Sequence, residues 1–210
     1  MPPAVRRIAS VILLAALVSM PLVARAATPP GPVVDVVEIA GIIDRPIADY
    51  AIEQIAAAEK HHDTLVVFEV DSLGGLKISD NQAVPPLVRR IATARVPIVV
   101  HVGPRGARAE GLILYMAAAA NIASIGPSGH IGPPHPIDFG HTNVSASDEL
   151  STLRALAQAH DRSITTDDFK VLGANEAKQA GYFDLVTPSV ANLLESLDGK
   201  TVSTAACKVG

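Results

Sequence analysis

Short runs of β-branched residues alternate with longer stretches of helical spacing, and this alternation constrains the fold more than any other feature of the chain. The runs at 33–39, 64–70 and 96–102 are nearly continuous in valine and isoleucine, as in strands buried on both faces. Between them, apolar residues recur every three or four positions, from 47 to 58 and from 84 to 91. This order of strands and helices predicts an α/β fold with a parallel sheet and right-handed crossovers.

The rest of the chain continues the same pattern. An alanine-rich stretch at 109–120 predicts a helix whose small side chains let neighbours approach closely, so we expect it to be the central, most buried helix. A stretch rich in glycine and proline at 126–143 predicts a loop. The other predicted elements are a strand at 121–125, a helix opening at 147, a short helix at 175–180, a strand at 183–186 and a last helix at 190–197. Without internal repeats, the pattern predicts one domain over 33–202 and a C-terminal tail over 203–210.

The N-terminus has the pattern of a secretory signal peptide over residues 1–26, followed by a linker over 27–32. Arg6 and Arg7 precede the apolar stretch 8–23, and residues 24–26 supply small side chains where signal peptidase cleaves. We therefore expect an exported, extracytoplasmic or periplasmic domain, or a membrane-associated one if the signal stays uncleaved. No later stretch is long and apolar enough to span a bilayer.

Composition excludes several classes of protein. The chain of 210 residues is 49% hydrophobic and 18% charged, which excludes a disordered tail. Without the three arginines of the leader, 14 basic residues stand against 21 acidic ones, and a net charge of −7 argues against a nucleic-acid partner. Cys207 is the only cysteine, so the core alone must hold the fold together.

Glycines follow two of the predicted strands, at the sheet edge where α/β proteins bind their ligands. The string DSLGGL at 71–76 contains Gly74 and Gly75, whose N–H groups could point into a cleft as those of an oxyanion hole do. Taken alone, such a glycine pair is more often only a tight turn. The second glycine site, at 103–111, precedes the alanine-rich helix, whose N-terminus would favour an anion or a nucleophile.

Several strings in consistent order carry a family resemblance. They are DSLGGL at 71–76, VPIVVHVGPRGARA at 96–109, IGPPHP at 131–136, NEA at 175–177 and GYFD at 181–184. Over 33–202 the chain resembles the NfeD family of membrane-associated, ClpP-class serine proteases. The resemblance implies a single domain with the ClpP/crotonase-like spiral of ββα units. It also implies that no cofactor or metal is used, that the partner is a peptide or a stomatin-type membrane protein, and that the protein is a homo-oligomer.

The mechanism of that family is a Ser–Lys dyad, and this chain departs from it at both positions. In the family, a serine early in the alanine-rich helix attacks the peptide carbonyl, a lysine after the His-Pro loop acts as base, and the Gly-Gly amides stabilise the oxyanion. An ungapped match puts Gly111 at the nucleophile position. No lysine lies between Lys77 and Lys170, although the base is expected between Ile137 and Leu150. That span is occupied instead by residues that include Asp138, His141, Ser145, Ser147, Asp148 and Glu149.

These departures favour a pseudoprotease that binds a peptide or a membrane-protein partner without cleaving it. Loss of one member of such a dyad lowers the rate by orders of magnitude, and loss of both leaves little reason to expect turnover. A carboxylate at Glu110 would also oppose the charge of a developing oxyanion. We predict that Gly74 and Gly75 bind the peptide, and that the cleft is lined by Arg108, Glu110, Gly111 and His135.

An active serine peptidase with a relocated nucleophile is the alternative. Its serine Oγ would have to lie within about 3.2 Å of a base such as His141 and face the amides of the glycine pair. The candidate serines are Ser72, Ser124 and Ser128, for each of which a role in a turn or strand is the simpler interpretation.

Two further hypotheses are less favoured. Crotonase-like acyl-CoA chemistry would use the same fold, but CoA thioesters are cytosolic metabolites and the leader predicts export. The histidines His130, His135 and His141 invite a zinc site, but the spacing in their loop fixes no shared face.

Overall fold

A five-stranded parallel sheet forms the centre of the fold. The structure, a computed structural model, describes residues 31–75, 85–135 and 146–204, and those from Pro32 onward form one compact unit. The strands are β1 (Val34–Ala40), β2 (Leu65–Asp71), β3 (Ile98–Val102), β5 (Ile122–Ile125) and β8 (Leu185–Val186). They lie in the order β1-β2-β3-β5-β8, and every neighbouring pair is parallel. All five residues of β3 are buried, as its continuous apolar run predicts.

Three two-residue strands form a second, small sheet. They are β4 (Arg108–Ala109), β6 (His130–Ile131) and β7 (Leu172–Gly173). Strand β6 pairs in parallel with β4 and antiparallel with β7. The prediction of a continuous loop from residue 126 is therefore wrong at β6, because two residues are too few to show a strand period in the sequence.

The helices follow the predicted order, with boundaries shifted by a few residues. They are α1 (Arg45–His61), α2 (Pro86–Ala92), α3 (Leu112–Ala119), α4 (Ala146–Gln158), α5 (Ala174–Gln179) and α6 (Val190–Leu197). Helix α1 begins where Asp44 Oδ1 accepts a hydrogen bond from the Ile47 N–H at 3.1 Å, and it ends at His62 in the left-handed conformation. Helix α6 likewise begins at Ser189, whose Oγ accepts from the Asn192 N–H.

Helix α3 is the central helix, as its alanine content predicts. Every one of its residues is buried. It packs against α2, α4 and the sheet, and its side chains join those of one sheet face, such as Phe68 and Val100, in the main core.

A buried arginine holds the C-terminal end of α3. The Nη2 of Arg162 donates to the carbonyl oxygens of three residues, Ala117, Ala118 and Ala120, at 2.8–2.9 Å. Its Nη1 donates to Asp184 at 2.7 Å, and only 4% of the arginine side chain is exposed. These bonds satisfy carbonyl groups that a helix end leaves without partners.

The opposite face of the sheet has a smaller core. There Val67 and Val99 pack against Leu193 of α6. Because strand residues alternate between faces, His101 and Ser124 lie on this second face, away from α3.

Several predicted features lie outside the described residues. These are the signal peptide, most of the linker, Lys77, His141 and Cys207. Within the described ranges, no helix combines the length and the apolar character needed to cross a membrane.

Candidate functional site

The glycine pair lies directly after β2, but its two amides have different surroundings. The Gly74 N–H donates to Ser72 Oγ at 3.0 Å, and the Gly74 carbonyl accepts from the Ile43 N–H at 3.1 Å. Gly75 is bridged to Ile43, and its N–H has no hydrogen-bond partner in the described part of the chain. Only the Gly75 amide is therefore available to a ligand.

Gly111 stands opposite this pair, at the N-terminus of α3. Its backbone has φ +52° and ψ −123°, a conformation that side chains rarely adopt, and its N–H donates to the Pro133 carbonyl at 2.8 Å. A Cβ at this position would lie 2.9 Å from the His135 carbonyl oxygen and 3.1 Å from the Gly74 Cα. The same Cβ would lie 3.6 Å from the Gly75 nitrogen. The fold thus brings Gly74, Gly75, Gly111 and His135 together, and it leaves no room for a side chain at 111.

Arg108 and Glu110, the other two predicted lining residues, lie close together in the chain, but their side chains have different surroundings. Arg108 is exposed, and its main chain is tied to the end of β2 through Asp71 Oδ1 at 2.9 Å. Glu110 directs its side chain along Gly132, where an added Cβ would lie 2.6 Å from the Glu110 Cγ.

His135 connects the cleft to a buried carboxyl group that the sequence analysis did not assign to the cleft. Its Nδ1 lies 2.6 Å from Oε2 of Glu149 in α4. The described part of the chain offers Oε2 no other polar partner. The His135 ring also meets the edge of Phe169 at 5.7 Å between centroids. Helical spacing could have revealed Glu149, because it precedes the buried Leu153 by one turn.

Burial dominates the electrostatics of this cluster. It raises the pKa of Glu149 above its ordinary value, and the charge of His135 offsets only part of that effect. Burial also raises the pKa of Tyr115 in α3, with a smaller contribution from the charge of Glu149. The cleft is therefore bordered by a carboxyl group that lacks a permanent counter-charge.

A serine and a histidine do meet, but on the other face of the sheet. Ser124 Oγ lies 3.2 Å from His101 Nδ1 and 2.7 Å from the Thr187 hydroxyl. Ser124 is fully buried, and burial lowers the pKa of His101. This pair satisfies the distance expected of a relocated nucleophile but not the orientation, because α3 and Gly111 lie on the opposite face.

Among the described residues, no hydrogen bond or ion pair joins a lysine to the glycines of the cleft, and there is no metal centre. The described lysines are Lys60, Lys170, Lys178 and Lys200, of which Lys170 pairs with Asp168 at 2.8 Å. Among all the described residues, no group of three or more histidine, cysteine, aspartate or glutamate side chains could hold a metal ion. His130 and His135 belong to different surroundings, β6 and the Glu149 contact.

Comparison with known proteins shows which proteins the chain is similar to. No protein-family model matches the chain. A membrane-bound protease of Pyrococcus horikoshii is 26% identical over 182 residues, which cover 80% of this chain and 40% of the relative. The chain therefore spans well under half the length of that protease. One similar solved structure is that of a membrane-bound stomatin-specific protease, determined as a lysine mutant in complex with a substrate peptide. It is 25% identical to this chain, and it superposes with a TM-score of 0.69 over 82% of this chain and 83% of that chain.

The chain is a homologue of this NfeD-like protease. A second structure of the stomatin-specific protease, from Pyrococcus horikoshii, is 24% identical with a TM-score of 0.65 over 83% of each chain. The catalytic domain of a ClpP protease from Plasmodium falciparum, at 15% identity, shares the fold with a TM-score of 0.52 over 74% of this chain and 86% of that chain. An enoyl-CoA hydratase from Bacillus subtilis, at 16% identity, does so with a TM-score of 0.55 over 77% and 71% of the two chains. The predicted ClpP/crotonase-like fold of this protease homologue is confirmed.

Proposed function

We propose that this protease homologue is a pseudoprotease, which binds an extended peptide in the cleft between the glycine pair and α3 without cleaving it. The observation that carries the proposal is the surroundings of Gly111. Glycine has no side chain to attack a peptide bond, and a Cβ here would lie 2.9 Å from the His135 carbonyl oxygen. Real Cβ atoms essentially never approach so closely, so the nucleophile's place is filled by the protein's own backbone.

The missing base supports the same proposal. No lysine lies between Lys77 and Lys170 in the sequence, so the segment that supplies the base in the family has none to offer. The Gly75 N–H has no partner among the described residues, and it can donate to a peptide carbonyl in the ground state as well as to an oxyanion. A cleft with a carbonyl-binding donor and no nucleophile favours binding over turnover.

The identity of the partner is part of the proposal. The homologous stomatin-specific protease has been solved with a substrate peptide, which supports a peptide or a stomatin-type membrane protein as the ligand here. The leader over residues 1–26 supports an exported, extracytoplasmic location, with membrane association if the leader is retained. Self-association as a homo-oligomer completes the proposal by analogy with the family.

Activity-based labelling of the purified protein tests the absence of turnover. A fluorophosphonate probe labels any activated serine, so we expect no label above that of heat-denatured protein. A Gly111→Ser variant should also remain unlabelled, because it restores the hydroxyl but neither the space nor the base. Binding of the relative's substrate peptide, measured by fluorescence anisotropy, should be saturable without production of fragments.

The labelling experiment also addresses the second candidate, an active peptidase with a relocated nucleophile. The contact between Ser124 and His101 at 3.2 Å is the observation that favours it. Label on the unmodified protein that disappears in a Ser124→Ala variant would establish that candidate. It would overturn the pseudoprotease proposal.

A further inference from the structure

The side chain of Glu149 is a buried acid that faces the cleft through a single neighbour. Only 3% of it is exposed, and in the part of the chain that the structure describes Oε2 has one polar contact, His135 Nδ1 at 2.6 Å. A carboxylate oxygen has lone pairs for more than one donor, so Oε2 can accept a further hydrogen bond.

His135 separates this carboxyl from the cleft and is itself accessible. Its side chain is 52% exposed, whereas its main-chain carbonyl borders the site of Gly111. Rotation of one exposed ring would give a ligand access to Glu149.

The surroundings favour a ligand with a primary ammonium group on an apolar stem. An ammonium has three donors and a permanent charge, and it forms the strong, charge-assisted kind of hydrogen bond with a carboxylate. Phe169 packs edge-on against the His135 ring, with 5.7 Å between the ring centroids. This pair of rings offers an apolar surface against which a methylene chain can lie.

We propose that Glu149 and His135 form a subsite that binds a primary ammonium group of the peptide held in the cleft. The ammonium is that of a lysine side chain or of the peptide's amino terminus, and Glu149 accepts its hydrogen bonds. This inference deepens the proposed function and rests on it for the peptide, but the subsite can be tested without one.

The first test uses n-butylammonium as a probe of the subsite alone, on the full-length protein. The imidazole signals of His135 should shift saturably in NMR spectra on addition of n-butylammonium, and not with n-butanol, which has the same stem without the charge. A Glu149→Gln variant should bind the probe at least about tenfold more weakly, since a hydrogen bond to a charged group contributes roughly 1.5–3 kcal/mol. The matched control is Asp148→Asn, an exposed acid one residue away in the same helix turn, which should bind as the unmodified protein does.

Equal responses to n-butylammonium and n-butanol would overturn the subsite, and so would a Glu149→Gln variant that binds the probe normally. The comparison of the two probes needs no variant, so it decides the matter even if Glu149→Gln fails to fold.

The second test distinguishes the two sources of the ammonium and separates the subsite from the proposed function. Three versions of the relative's substrate peptide are compared: acetylated with one lysine, acetylated with norleucine in its place, and unacetylated with norleucine. Tighter binding of the first identifies a lysine side chain, and tighter binding of the third identifies an amino terminus. If all three bind equally, peptide binding stands and the subsite falls. If n-butylammonium binds but no peptide does, the subsite stands and the proposed function falls.

Discussion

Gly111 determines both the path of the backbone into α3 and the packing of the residues around it. Its positive φ turns the chain sharply into α3, and its missing side chain lets the Gly74 Cα and the His135 carbonyl approach. Two separate effects therefore resist substitution, namely backbone strain and direct overlap with neighbours. The two effects can be separated, because Gly106 also has a positive φ but has nothing within 4 Å of its Cβ position.

We expect Gly111→Ala to destabilise the protein by about 2–4 kcal/mol, since strain and overlap add. Gly106→Ala is the matched control and should cost only about 1 kcal/mol, the contribution of strain alone. The free energy of unfolding of each variant is measured in urea. Equal losses for the two variants would show that the space around Gly111 is not restrictive.

At the scale of elements, two polar contacts join helices and loops that are distant in the sequence. Glu59 in α1 binds Arg90 of α2 at 2.9 Å and Arg95 in the following loop at 3.1 Å, with 8% of its side chain exposed. Arg162 binds the end of α3 and Asp184, which precedes β8. Each contact satisfies a buried charge, so removing one partner leaves the other uncompensated.

The Glu59 cluster predicts a pH dependence of stability. Burial alone would raise its pKa, but hydrogen bonds and charge from Arg90 and Arg95 outweigh burial and lower the pKa to about 2. Because the folded-state value lies below the ordinary value of about 4.5, the stabilisation is complete above that value and is lost as the pH falls toward 2.

A Glu59→Gln variant should therefore be less stable than the unmodified protein at pH 7, and the difference should shrink between pH 4.5 and pH 2. Urea unfolding at several pH values measures it. Glu53→Gln, an exposed position on the same helix, is the control and should show no such trend. A difference that grows on acidification would contradict the role assigned to the two arginines.

Replacement of Arg162 by methionine tests the anchor of α3. The change removes the arginine donor from three carbonyl groups and from the Asp184 carboxylate, which keeps only the Ala123 N–H. We expect a loss of about 3–5 kcal/mol in the free energy of unfolding. Arg45→Met, at an arginine that is 78% exposed, should change stability by less than about 1 kcal/mol. A loss at Arg162 as small as that at Arg45 would mean that other groups hold the helix end.

For the molecule as a whole, the sequence predicts the elements that have a local residue pattern. It does not predict the elements that form only through contacts between distant residues. The continuous apolar runs predict β2, β3 and β5 because burial on both faces leaves a mark on each strand separately. The run at β1 also predicts a strand, but the expected burial on both faces is wrong there, because β1 lies at the edge of the sheet and Val36 is exposed. The two-residue strands β4, β6 and β7 have no such pattern, since each exists only through its neighbours. The site follows the same rule.

Within the site, glycines that follow strands are visible in the sequence, and they predict the place of Gly75 and Gly111. The contacts around these two glycines cannot be predicted from the sequence. The Gly74 N–H donates to Ser72 Oγ, two residues before it, and glycine spacing alone does not show this bond. The contact of Glu149 with His135 joins residues on either side of a long segment, so the pairing depends on the packed fold, even though helical spacing indicates that Glu149 is buried.

The crowding around Gly111 also determines how this position can change over generations. A single-base change converts some glycine codons to serine, yet the new side chain would meet the His135 carbonyl before it could meet a substrate. Residue 111 and the stretch 133–135 can therefore only evolve together. Among relatives of this chain, a side chain at the first position should be accompanied by a differently placed backbone at the second.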